Sequence, residues 1–154
     1  MKKKIQKKKN ILIFDLGGGT LDVTCLKYFN DKDGPEFRVK GHSGHTLLGG
    51  EDFDNKLINH YIQKFEKENS TKINKDSDKG KFALKRLKNA CEEAKKILST
   101  KEKHVINIES LYGEDDLIME IDRTEFEFLC KEYFDKLKEP IEAVLNIPDL
   151  QKMI

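Results

Sequence analysis

Three consecutive glycines, Gly17 to Gly19, separate an apolar run from an alternating one in the stretch FDLGGGTLD, Phe14 to Asp22. Nothing else in the chain restricts the backbone so sharply. Glycine loses more conformational freedom on folding than any other residue, so three in a row need a tight reversal or a close approach to another group. The run before them, ILIFDL from Ile11 to Leu16, reads as a buried strand with a carboxylate at its tip. After them Leu21, Val23 and Cys25 alternate with polar residues as a second strand. Asn30 to Pro35 reads as a turn, and Phe37 and Val39 alternate in a third strand. Residues 11–50 are therefore expected to form an antiparallel meander.

The hydrophobic period changes at Gly50. Phe53, Leu57, Tyr61 and Phe65 recur at helical spacing with Ile58 and Ile62 beside them, and Glu51, Asp52 and Asp54 stand in the first turn, where the helix dipole favours acids. Residues 68–80 read as a loop. A second helix is expected from Phe82 to Leu98, with Ala83, Leu87, Ala90, Ala94 and Ile97 as its stripe. HVINIE and DLIMEI read as short strands turning through SLYGED. Thr124 and Glu127 then form a capping box, opening a helix whose face is Phe126, Cys130, Tyr133 and Leu137, and Pro140 starts or kinks a last helix. The expected class is α+β: an incomplete strand meander, then a helix-rich lobe over 51–147 with a small antiparallel hairpin.

The 154 residues suffice for one ordinary domain with a core. Charged residues make up 37% of the chain, yet the net charge is only +1, which with no basic stripe argues against nucleic acid as a partner. Apolar runs are too short to cross a bilayer, so no membrane partner is expected. The lysine cluster over 1–10 reads as a solvated, disordered tail rather than an import signal, and 148–154 as a C-terminal tail. The three scattered cysteines, Cys25, Cys91 and Cys130, read as small core residues in a reducing compartment, and cytoplasm is the expected location. His42, His45, His60 and His104 lack metal-ligand spacing and read as surface or turn residues.

What the glycines do chemically is open on their own evidence, because a plain hairpin also uses them. Their flanks favour a phosphate nest, in which backbone N–H groups without a Cβ in the way converge on an anion. Asp15 at a strand tip has a fixed position, Thr20 adds a hydroxyl donor, and Asp22 adds a second carboxylate. That set suits a magnesium–nucleotide complex, the metal taking few protein oxygens and keeping several waters. Asp15 could alternatively orient an attacking water, which makes Asp15 and Thr20 the candidate catalytic groups. No Lys-Ser/Thr pair closes the glycines, so this is not a P-loop. A strand rather than a helix follows, so it is not a dinucleotide fingerprint either.

With IFDLGGGTLDV, then LLGGEDFDNKLINHYIQKF, LKNACEEAKKILS and INIESLYGEDDLIMEIDRTEFE, the chain closely resembles the nucleotide-binding domain of the 70-kilodalton heat shock chaperones, the DnaK type, from about residue 10 to 147. The first motif alone would indicate only the wider actin-like ATPase superfamily. The LKNACEEAKKILS string argues against its sugar-kinase members. The resemblance implies a partial actin-like ATPase fold that binds ATP or ADP with magnesium, a potassium ion being a further occupant near Asp15. It implies phosphate binding by Gly17, Gly18, Gly19, Thr20, Gly49 and Gly50. It assigns the metal environment to Asp15 and Asp22, and adenosine contacts to Glu92, Lys95, Lys96 and Ser99. Those four stand at i, i+3, i+4 and i+7, one face of a helix, which by itself also reads as a solvated salt-bridge surface.

Two departures from the family pattern follow. Lys96 stands where many members carry an arginine stacked on adenine, and lysine lacks the planar group that stacks. The first phosphate loop, the catalytic lysine, a magnesium-associated glutamate and the glycine–glycine–serine adenosine loop do not occur in this sequence. Phosphoryl transfer needs those groups acting together, so the expectation is weak nucleotide binding without hydrolysis by this chain alone. The alternative is a non-enzymatic module whose residues 51–146 bind a nucleotide exchange factor. The unpaired edges of the meander predict marginal stability for the first lobe.

Overall fold

The computed structural model describes residues 7–31 and 34–147, so residues 1–6 of the tail expected over 1–10, the tail expected over 148–154 and the centre of the turn expected over 30–35 lie outside the described residues, while residues 7–10 are strand rather than disordered tail. The chain divides into two compact units, Met1–Gly50 together with Tyr133–Ile154, and Glu51–Glu132.

The first unit is built on a three-stranded antiparallel sheet in the order β1 (Lys7–Leu16), β2 (Leu21–Asp31), β3 (Gly34–His45). β1 begins at Lys7, four residues before the apolar run, because Lys7 to Asn10 continue the ladder opposite Lys27 to Asn30. The central strand β2 carries the core. Leu21, Val23 and Cys25 are buried with Val144, and Leu16, Leu137, Ile141 and Ile147 pack around them. The cover is α4 (Lys131–Leu145), which runs through Pro140 instead of starting there. Gly41 lies under that cover, where a Cβ would press on the Ile147 Cδ1, the tip of a flexible side chain that can turn aside. The register slips between Cys25 and Leu26, leaving Lys40 as the extra residue of a bulge.

The expected burial of β1 does not hold. Leu12, Ile13 and Phe14 are 42%, 45% and 42% exposed. An apolar run looks the same in sequence whether it lies inside a sheet or along its rim, and β1 is the rim. His42 and His45 belong to β3, not to a loop, because the strand continues to His45.

The second unit contains most of α1 (Gly50–Glu68), then α2 (Asp78–Ile97), a β4 (Lys103–Tyr112) and β5 (Asp115–Asp122) hairpin, and α3 (Arg123–Leu129). Phe53, Leu57, Tyr61, Ile62 and Phe65 are buried on α1, as their spacing predicts, and Ala83, Leu87, Cys91 and Ala94 on α2. Ile106, Leu117 and Ile121 supply the sheet side of this core, and Phe126 stacks on Phe53 with ring centroids 6.2 Å apart.

Three boundaries differ from expectation. α2 starts at Asp78 rather than Phe82, because Ser77 caps it by accepting from the Gly80 N–H at 3.0 Å. Gly80 is needed there, since a Cβ would lie 1.8 Å from the Asn74 carbonyl oxygen. The SLYGED segment is mostly strand: β4 continues to Tyr112, with Ser110 in left-handed backbone at φ 44° where the register shifts. Finally, α3 is capped by Asp122, whose carboxylate accepts from the Glu125 N–H at 2.7 Å, and not by Thr124.

Candidate functional site: a glycine hairpin and an acidic strand pair

The ladder ends at the Leu16–Leu21 pair, and Gly17 to Thr20 turn the chain. The Gly17 N–H donates to the Thr20 carbonyl at 2.8 Å, which closes the reversal. Gly18 and Gly19 bridge it, and their N–H groups have no partner among the described residues. A second glycine segment holds this loop from the side. The Gly50 N–H donates to the Gly17 carbonyl at 2.8 Å, and a Cβ on Gly49 would lie 2.3 Å from the Gly18 carbonyl oxygen and 2.4 Å from the Gly19 nitrogen. Two backbones are therefore in direct contact. Only glycine at 49 permits this approach to the Gly18–Gly19 peptide.

Asp15 and Asp22 are directly opposite each other in the β1–β2 ladder, so both carboxylates leave the same face of the sheet, at the base of the glycine turn. This is the face away from α4. Like charges so placed repel, and a cation between or beside them relieves the repulsion. Gly44 follows in the same row on β3, where a Cβ would meet the Leu21 carbonyl oxygen at 2.5 Å. His42 sits next to this row, its Nδ1 3.0 Å from the Thr24 hydroxyl and its Nε2 3.8 Å from Asp22. Thr20 is exposed at the end of the turn. The structure thus brings Asp15, Gly17, Gly18, Gly19, Thr20, Asp22, Gly49 and Gly50 into one neighbourhood of the first unit. Free amides, two acids and a close-packed glycine fit a polyphosphate with its divalent ion.

The other four candidates belong to the second unit. Glu92 and Lys96 are hydrogen-bonded to each other across one turn of α2 at 2.7 Å. That bond holds the Glu92 carboxyl below its ordinary range and raises Lys96. Lys95 turns toward α1, where its Nζ lies 2.8 Å from both Asp54 oxygens and donates to Oδ2. Ser99 is exposed one residue beyond the C-cap Leu98, its N–H on the Lys96 carbonyl at 3.2 Å, so it follows α2 rather than lying within it.

Asp54 is the residue sequence reasoning missed. It is the one buried charged residue among those described, at 4% exposure, although its place in the first turn suggested only a dipole partner. A signal existed: with Leu57 and Tyr61 it falls at i, i+3 and i+7, on the apolar face. His60 was also misjudged as a surface residue. It is largely covered, and burial first and Lys64 second lower its proton affinity. The cysteines are core residues as expected. All three are buried, and burial pushes the Cys91 and Cys130 thiols up to about 12. Among the described residues no group of three or more His, Cys, Asp or Glu side chains forms a metal cluster. A pair of acids with water ligands does not require one.

A family model described as Hsp70 protein matches residues 1–153. The chain belongs to the Hsp70 family. It is 43% identical over 150 residues to a heat shock 70 kDa protein of Neurospora crassa, covering 97% of this chain and 22% of that protein. The same identity and coverage relate it to heat shock 70 kDa protein 2 of Paracoccidioides lutzii. Heat shock cognate 70 kDa protein 3 of Dictyostelium discoideum is 44% identical over 142 residues, 92% of this chain and 21% of its own length. This Hsp70-family chain thus spans about a fifth of the length of these relatives. The α+β architecture of the described residues, two small antiparallel sheets and four helices, agrees with part of the actin-like ATPase fold expected of the family.

Proposed function

We propose that this Hsp70-family chain binds ATP or ADP as a magnesium complex, through one side of a chaperone-type phosphate site. The observation that carries this reading is the pair of Gly18 and Gly19 amides, without a hydrogen-bond partner among the described residues, in a turn against which Gly49 packs backbone to backbone. These amides would bind phosphate oxygens, and Thr20 would add a hydroxyl donor. Asp15 and Asp22 would hold the metal through its waters, and the metal supplies charge neutralisation at the phosphates. Asp15 is also the candidate to orient a water. In the second unit Glu92, Lys96 and Ser99 offer polar groups to an adenosine. Lys95 offers less, because its charge already neutralises Asp54.

Turnover is a separate matter. Residues on one side of a phosphoryl group position it without surrounding the transition state, and catalysis by electrostatic stabilisation needs the whole set. The reading is therefore nucleotide binding without appreciable hydrolysis by this chain alone. Nucleotide exchange factors are proposed as further partners on the strength of the family. Titration calorimetry with magnesium–ADP and magnesium–ATP tests the central claim. Heat of binding that disappears when magnesium is chelated supports it, and no binding at millimolar nucleotide refutes it.

A further inference from the structure

α2 ends without the usual device. A helix commonly hands its last carbonyls to a glycine turn in left-handed backbone, yet no glycine follows Ile97: the exit reads LSTKEK, from Leu98 to Lys103. Leu98 itself keeps right-handed backbone, at φ −64° and ψ −13°. The Thr100 and Lys101 N–H groups both donate to the Ile97 carbonyl, at 3.0 and 2.9 Å, and the Ser99 N–H goes to the Lys96 carbonyl. The exit is wound once more around the helix end, and the carbonyls beyond Ile97 need donors from elsewhere.

Arg123 supplies them. Its Nε donates to the Leu98 carbonyl at 3.0 Å, its Nη2 to the Lys101 carbonyl at 3.2 Å, and its backbone N–H to the Glu102 carbonyl at 2.9 Å. One residue thus ties the exit on both sides of Ser99. Its own helix does not explain this placement. Arg123 is the first residue of α3, where a cation opposes the helix dipole. At the negative end of α2 the same charge is favourable. A guanidinium also has the planar fork that holds two separate carbonyls, whereas a lysine ammonium is a point charge on a flexible stem.

We infer that Arg123 is a positioning residue for adenosine. It holds Ser99 in place at the end of the α2 face that carries Glu92 and Lys96, and so acts on the nucleoside through Ser99 without touching it. This role rests on the reading of Ser99 as an adenosine contact. A serine on an untied exit would lose conformational freedom when a ligand bound; with the exit already fixed by Arg123, that ordering is complete before the ligand arrives.

Nuclear magnetic resonance on the full chain, with and without magnesium–ADP, tests this, with far-UV circular dichroism as the check on folding. Without nucleotide, Arg123→Ala should speed amide exchange at Thr100 and Lys101 about tenfold or more. With nucleotide, the ADP dissociation constant should rise about tenfold in Arg123→Ala and also in Ser99→Ala. Because one residue acts through the other, the double variant should bind no more weakly than the weaker of the two single ones. Arg123→Lys keeps the charge and loses the fork, so it should fall between the parent and Arg123→Ala, and it takes the place of the alanine variant in every comparison if that one fails to fold. Unchanged exchange at Thr100 and Lys101, unchanged ADP affinity in a folded Arg123 variant or in Ser99→Ala, or losses that add in the double variant would each overturn the proposal. A parent chain that binds no ADP refutes the nucleotide reading and this role with it. A parent and variants that bind ADP equally refute this role alone.

Discussion

Gly49 packs backbone to backbone against Gly18: a methyl group on it would stand 2.3 Å from the Gly18 carbonyl oxygen, with no flexible side chain there to yield. Gly49→Ala must therefore shift one of the two glycine segments. Overpacking of this sort costs about 1–3 kcal/mol. The expected result is a lower melting temperature together with loss of nucleotide binding. A Gly49→Ala protein with normal stability and normal affinity would show that the two segments are not held as described.

Gly19 offers the complementary experiment. A Cβ there meets nothing within 4 Å, so Gly19→Ala should fold with stability changed by no more than about 0.5 kcal/mol. If the open space beside the Gly19 amide is where phosphate binds, the added methyl weakens magnesium–ADP binding roughly tenfold or more. Unchanged affinity in calorimetry would remove the glycine turn from the binding site.

Lys95 and Asp54 make a separate prediction in the second unit. Lys95→Met removes the cation and leaves a carboxylate uncompensated in the core, which costs about 3–5 kcal/mol when one partner of a buried pair is lost. Lys95→Met combined with Asp54→Leu removes both charges and should recover much of that loss. Urea denaturation of the two variants measures it. If Lys95→Met is neutral for stability and only weakens nucleotide binding, then Lys95 acts as a ligand and not as a strut.

These residues also show how far the sequence could be read. The face Phe53, Leu57, Tyr61 and Phe65 was legible because a period of about 3.6 has no other common cause. The glycine turn was legible because three glycines after an apolar run leave the backbone few alternatives. The burial of β1 was not, because Leu12 and Phe14 have the same composition whether a neighbouring strand lies beside them or not. The start of α2 was hidden by Gly80, a poor helix former that is there for its closeness to Asn74. The fit of Gly49 against Gly18 was foreseen only as two glycine pairs near one ligand. Its physical content, contact between main chains distant in sequence, needed coordinates.

Acid should weaken the second unit through His60. Its ordinary value of 6.5 is lowered in the folded chain by burial first and by Lys64 second, with Glu125 opposing. Glu125 is a weak counterweight because Lys64 already donates to its Oε1 at 3.1 Å. The unfolded chain thus takes up the proton more readily. The neutral imidazole's contribution to stability is complete above about pH 6.5 and is lost as the pH falls through the lowered folded value. Urea midpoints should decline over that interval, and His60→Gln should flatten the decline. A midpoint that rises on acidification through the same interval would contradict the burial of this ring.

Tyr61 should be improved by removing an atom. Its hydroxyl is buried with no hydrogen-bond partner among the described residues, in a side chain with no exposed surface. An unsatisfied buried hydroxyl is a net cost, so Tyr61→Phe should be neutral or stabilising by up to about 1–2 kcal/mol. A thermal melt checks the sign. Clear destabilisation would mean that the hydroxyl has a partner, such as a trapped water.

The cover of the first sheet, Leu137 to Ile147, is made only after every residue from Glu51 to Glu132 has been joined to the chain. During synthesis Leu21, Val23 and Cys25 therefore wait, bare on one side, while an entire intervening unit emerges and acquires its own core. The ribosome sets an order in which the inserted unit can mature before the three-stranded sheet gains this cover. Any agent that shields apolar strands would matter most in that interval.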